Sequence, residues 1–195
     1  IVSADAVKFG GGMGNVARSP YPTDADGRPR KSDFDIRSEL SGYPRWCEGS
    51  RLWLQWAGMN DTIYSLTTFT DDYRDDYSSR ARWVNALLGG SSRNSGQPGY
   101  KIPIDLSMAF HSDAGVTSND SIVGTLSIYT RTSDGEIVYP HGGQRNIGRE
   151  YADMVQSQVV ADIRATVEPR WSRRGIWDKS YHESRVPHVP AMLLE

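Results

Sequence analysis

Apolar positions recur along this chain with two different periods, and the change of period marks out its elements. Between Arg45 and Ala57, Trp46, Leu52, Trp53 and Trp56 fall at mixed three-to-four spacing ahead of Gly58, which predicts an amphipathic helix with a glycine stop. The run Asp71-Asp72-Tyr73-Arg74-Asp75-Asp76-Tyr77 reads as a solvated loop leading into a helix, with Ser78 and Ser79 as its caps. Ala81, Val84, Leu87 and Leu88 then form a helical stripe closed by Gly89-Gly90, and a Gly/Ser/Asn loop follows as far as Gly99. Two apolar runs, Ile102–Phe110 and Ile122–Tyr129, predict strands. A long helix is predicted between Arg149 and Val167, where Ala152, Val155, Val159 and Ile163 share one face ahead of Pro169. Val189–Leu194 predicts a last, buried strand.

Helices separating apolar strands predict an α/β fold: one layered domain over 1–195, with a mostly parallel or mixed central sheet flanked by helices. The length of 195 residues suits a single core. The first third differs, because Gly10-Gly11-Gly12-Met13-Gly14 and the Pro/Asp-rich stretch from Ser19 to Gly27 predict a long functional loop. A chain that starts on Ile1-Val2 and stops on an apolar run and Glu195 reads as a segment of a longer protein.

Charge narrows the function. With 22 Lys+Arg against 24 Asp+Glu the formal net charge is −2, so no basic footprint for nucleic acid is present. No apolar run approaches the roughly 18 residues of a bilayer span, so no membrane insertion is expected. The single Cys47 excludes an internal disulfide and a cysteine-built zinc site and reads as a small hydrophobe. The glycines at 10–14 lack a following Gly-Lys-Ser/Thr and the GxGxxG spacing, and there is no GxSxG elbow for a serine nucleophile.

What remains is four histidines and a few well-placed carboxylates. His111 closes an apolar strand just before the turn Ser112-Asp113-Ala114-Gly115, where α/β folds place ligand groups. His182 and His188 fail the HExxH test, since they stand six positions apart instead of four and Pro187 would break the helix between them, and both read as loop residues. His141 lies on the loop Pro140-His141-Gly142-Gly143. Glu48 sits near the start of the first helix, where the dipole favours an anion. Glu195 directly follows the core strand, a position that points to a site.

Three ungapped stretches carry a resemblance. They are Arg80-Ala81-Arg82-Trp83-Val84-Asn85, then Ile104–Ala114 with His111 after its strand, and finally Pro190-Ala191-Met192-Leu193-Leu194-Glu195. In that order they resemble the Arg-x4-Asn helix, the strand with its metal-binding His, and the closing Pro-x-Val-Leu-Val-Glu of the zinc-dependent N-acetylmuramoyl-L-alanine amidases, cell-wall hydrolases of α/β fold. The helix Tyr151–Ile163 and the Arg174-Gly175 pair fit the connecting pieces, so the resemblance spans most of the chain.

The resemblance implies Zn²⁺ held by Glu48 and His111, with Glu195 as the catalytic base, and an open metal position for water. It implies cleavage of the amide between the muramyl lactyl group and L-alanine in peptidoglycan or a related envelope polymer. A periplasmic, cell-surface or secreted location follows from the same likeness. Tyr21, Tyr43, Trp46, Trp171 and Trp177 are candidates for the walls of a glycan-peptide site. The family opens with Gly-His-Gly-Gly, whose His is the first ligand, whereas here Phe9 precedes Gly10-Gly11-Gly12. Either that ligand lies upstream, or His141, His182 or His188 replaces it, or the site is degenerate. The last case makes the chain a peptidoglycan-binding module of a surface protein without turnover.

Overall fold

The computed structural model describes residues 49–68, 70–112, 115, 119 and 121–195. The chain divides into two compact units, Ile1–Trp83 and Val84–Glu195. Glu48, Phe9, Cys47, Tyr21, Tyr43, Trp46, the glycines at 10–14 and the loop from Ser19 to Gly27 lie outside the described residues.

Where it is described, the first unit is helical. Helix α1 (Ser50–Trp56) is followed by a single turn, α2 (Asp61–Tyr64), which Asn60 caps by accepting a hydrogen bond from Thr62 N at 2.9 Å. Helix α3 (Asp72–Leu88) starts six residues before the expected caps. The acidic run is its first turns rather than a loop. Asp71 is the cap, its carboxylate accepting from Arg74 N at 2.9 Å, and carboxylates in the first turn complement the helix dipole. Ser78 and Ser79 are buried inside the helix, and the Ser79 hydroxyl lies 2.6 Å from that of Ser50 on α1.

The second unit is an α/β layer with a mixed four-stranded sheet. Its strands are β1 (Ser107–Phe110), β2 (Thr125–Tyr129), β3 (Arg173–Asp178) and β4 (Ala191–Leu194), in spatial order β1-β4-β2-β3. β1 runs parallel to β4, β2 runs parallel to β3, and β2 and β4 meet antiparallel. Helix α4 (Ile147–Thr166) and the one-turn helix α5 (His182–Arg185) pack against the sheet. No helix among the described residues is long and apolar enough to cross a membrane.

Alternation along the strands sorts their side chains between two cores. Met192 and Leu194 pack with Ala152 of α4, flanked by Tyr151, Val155, Val159 and Ile176. On the opposite face, Leu193 packs with Leu126 and Ile128, against which Ala109 also lies. α5 contacts β4, β1 and β2.

Several bounds differ from expectation. The strand expected over Ile102–Phe110 is confined to its last four residues. Pro103 has no N–H to donate, and the residues before Ser107 are largely exposed, so there is little to pair or bury. The second strand starts at Thr125 because Gly124, at φ +88°, turns the chain first, and a Cβ there would meet Ser172 O at 2.1 Å. β3 and α5 add elements the hydrophobic pattern does not announce. His182, expected in a loop, opens α5, while His188 lies in the connection to β4.

Candidate functional site

β1 and β4 are adjacent and parallel, so both chains leave the sheet at the same edge. The register pairs Phe110 with Leu194, and the next residues are His111 and Glu195. Backbone bonds continue one step past the strands. His111 N donates to Leu194 O at 2.8 Å, and Glu195 and Leu126 exchange two N–H to O bonds, each 2.8 Å. Glu195 is thus held in the sheet between β1 and β2, and its side chain does not depend on a loop for its position. This is the carboxyl edge at which α/β sheets place ligand-binding groups.

Alternation continues the face of Ala109 and Leu193 into His111 and Glu195, which is the face that α5 approaches. From α5 comes Glu183. Its Oε1 lies 3.5 Å from His111 Nε2, while Glu195 Oε1 lies 3.6 Å from Nδ1. The two carboxylates are nearly enclosed, with side chains 9 % and 7 % exposed, and the imidazole between them is 23 % exposed. Two residues expected to share a site, His111 and Glu195, are therefore brought together. A third, Glu183, was not singled out by its sequence, because the failed HExxH spacing drew attention to the histidines around it.

A bracket from helix α3 fixes the segment that joins α5 to β4. Asn85 Nδ2 donates to Val186 O at 3.0 Å, and Asn85 Oδ1 accepts from His188 N at 2.8 Å. This gives the Asn of the Arg-x4-Asn stretch a structural task, which is to set the connection on whose two sides Glu183 and Glu195 stand. Asn85→Ala leaves two partly buried backbone groups without this partner and is expected to lower stability by about 3 kcal/mol. Urea denaturation measures it, and a loss below about 0.5 kcal/mol would show that water replaces the bracket.

The other histidines lie elsewhere. His188 precedes β4, at the end opposite Glu195, and its Nδ1 is 3.0 Å from Asn94 Nδ2. His141 stacks on Tyr139 with ring centroids 5.6 Å apart, and the Arg145 guanidinium carbon sits 4.6 Å over the same Tyr139 ring. Arg145 Nη1 donates to Arg185 O at 2.9 Å, so this cluster ties the end of α5 to the loop before α4. Burial pulls the Arg145 pKa down and pushes that of Tyr139 up.

Burial also lowers the His188 pKa, helped by the positive charge of Arg145 and by His141. Its folded value thus falls below the ordinary 6.5. Between the two values the unfolded chain binds a proton that the folded chain refuses, so His188 costs no stability above the unfolded value and progressively more as pH drops toward the folded one. Acidification from about pH 7.5 to about pH 5 is expected to lower the Tm of the parent chain more than that of His188→Gln. Equal losses in thermal melts would refute this contribution.

Does the cluster suit the zinc ion that the family resemblance implies? Two donors at about 2.1 Å from a tetrahedral zinc lie about 3.4 Å apart. The His111–carboxylate separations of 3.5 and 3.6 Å are ion-pair distances at opposite ring nitrogens, so a single ion could share at most one of the two pairs. Imidazole nitrogen with carboxylate oxygen is also a donor set zinc accepts. The fit is that of part of a set: among the described residues no group of three His, Cys, Asp or Glu side chains is placed to hold a metal ion, and Glu48 lies outside them.

Fold and site together define an α/β protein with a carboxylate–imidazole–carboxylate cluster at the shared edge of two parallel strands. The chain matches no family model, no curated protein and no solved structure.

Proposed function

We propose that the chain is a metal-dependent hydrolase of the amidase type, acting on the lactyl–L-alanine amide of peptidoglycan or a related envelope polymer. One observation carries the reading: His111 and Glu195, 84 residues apart by their numbers, meet at the carboxyl edge of β1 and β4 in the order and context of the amidase-like stretches. In this reading His111 holds Zn²⁺ together with Glu48. The bound ion supplies a water activated near neutral pH and polarises the scissile carbonyl.

The chain's own residues do the rest. Glu195, anchored through both backbone bonds to Leu126, takes the proton of the attacking water at a carboxylate oxygen. It returns that proton to the departing amine as the C–N bond breaks, leaving the muramyl carboxylate and a free L-alanine amino group. The enclosure of Glu195 and Glu183 keeps bulk water from competing for the proton. The exposed Trp177, with the Arg174 guanidinium carbon 5.6 Å from its ring, offers a stacking surface for a sugar or peptide face.

A second reading, favoured by Phe9 at the expected ligand position, is a peptidoglycan-binding module without turnover. Metal analysis separates the two. The hydrolase reading expects one zinc per chain, release of soluble peptide from purified peptidoglycan, and loss of that release on chelation. Peptidoglycan binding with neither stoichiometric zinc nor chelator-sensitive cleavage would establish the binding module instead.

A further inference from the structure

We propose that the open edge of β1 is a dimer interface, to which a second copy of this chain adds its own β1 antiparallel. Among the described residues β1 is paired on one side only, by β4. Ser107 N donates to Pro190 O at 3.0 Å and His111 N to Leu194 O at 2.8 Å, so the alternation of the ladder turns the N–H and C=O of Met108 and Phe110 the other way, to the open edge. A strand so placed offers a row of backbone donors and acceptors to another strand. Its residues, Ser107-Met108-Ala109-Phe110, include none of the charges or prolines that block such pairing elsewhere.

The side chains on one face of the sheet are left open in the same place. The register sets Met108 beside Met192 and Phe110 beside Leu194, on the face that α4 covers. Helix α4 closes over β4, leaving Met192 and Leu194 only 0 % and 3 % exposed, whereas Met108 is 49 % and Phe110 73 % exposed. Arg173 of β3 bonds Asp153 and Ser157 on one flank of α4, so the flank that bears Ile147 and Tyr151 is turned toward β1.

A second copy fits this surface because the surface is self-complementary. Antiparallel pairing about a twofold axis directs the outward backbone groups of each β1 at those of the other and runs one sheet into the next. Opposed residues of an antiparallel pair share a face, so Met108 and Phe110 of both protomers meet there, flanked by the two α4 helices. Leu106, Met108, Phe110 and Ile147 together expose roughly 400 Å² per copy, an apolar patch of the size that marks contact surfaces. The edge backbone and its flanks extend this toward the about 600 to 1,000 Å² per partner of a specific interface. His111 continues the opposite face, that of Ala109 and Leu193, so the dimer does not depend on the metal-dependent reading.

Sedimentation velocity of the full chain, from sub-micromolar to tens of micromolar, tests the assignment. The parent should pass from monomer to dimer as concentration rises. Met108→Lys puts like charges into the interface from both protomers and should weaken dimerisation at least about 10-fold. Val167→Lys, at a site 77 % exposed beyond the C-terminal end of α4, should leave it unchanged. Circular dichroism checks that both variants fold. Amide hydrogen exchange of the parent needs no variant: protection at Met108 and Phe110 should grow with protein concentration. A parent that stays monomeric, equal weakening by the two variants, or edge protection independent of concentration, as when the chain's own residues cover β1, would overturn the proposal.

Discussion

Glu195→Gln is expected to lower kcat on peptidoglycan by about 10³-fold while the zinc content stays at the parent level. The substitution is nearly isosteric, and the backbone bonds between residue 195 and Leu126 do not involve the side chain, so the sheet edge is preserved. What disappears is an oxygen able to accept and return a proton. A buried amide in its place leaves substrate binding largely intact, so the loss falls on kcat and KM moves little. Residual activity reflects what the metal and substrate positioning achieve without a base. Rates of soluble peptide release, with metal content measured on the same sample, decide the matter. Parent-like turnover would remove Glu195 from the chemistry, and loss of zinc in step with activity would make it a ligand instead.

How much of this site was legible beforehand depends on what each residue needed from its neighbours. His111 and Glu195 each follow a short apolar run, and a polar residue at the end of a buried strand is visible in one dimension. That β1 and β4 lie side by side and parallel is a matter of topology, which a hydrophobic pattern does not encode. Glu183 stayed hidden because α5 spans only His182–Arg185, too short to show a helical period. Its burial comes from packing against β4, β1 and β2, which are distant in sequence. β3 escaped for a different reason. Its exposed positions carry Arg173 and Asp178, and its alternation buries no residue fully, so no apolar run marks it.

Charge composition misled where capping decides. The run from Asp71 to Tyr77 looks like a solvated loop by composition, yet Asp71 satisfies the Arg74 N–H and Asp75 accepts from Thr67 N at 2.7 Å. The first of these caps the helix, and the second ties the segment before it to the helix's first turn. The long helix was readable for the opposite reason. The apolar positions that announced it include Ala152, Val155 and Val159, which pack toward Met192 and Leu194, whereas the buried Gly148, Gln156 and Val160 lay outside that reading; Gln156 is accommodated because its amide donates to Thr125 O at 2.8 Å.

His111→Ala is expected to abolish stoichiometric zinc binding and to reduce turnover at least as far as Glu195→Gln does. Among the described residues the imidazole is the nitrogen donor that stands between the two enclosed carboxylates, and in the proposed reading its removal takes a nitrogen ligand from a zinc ion that favours nitrogen and sulfur. It also removes the imidazole that stands 3.5 and 3.6 Å from the carboxylates of Glu183 and Glu195, so the variant is expected to be less stable than the parent chain. The decisive comparison is the double variant. If His111 and Glu195 act as parts of one machine, adding Glu195→Gln to His111→Ala costs almost nothing more, because the proton acceptor has no activated water left to serve. Independent sites would instead multiply their losses. A double variant slower than His111→Ala by the full factor seen for Glu195→Gln alone would mean that the two residues do not serve the same reaction, however close they stand.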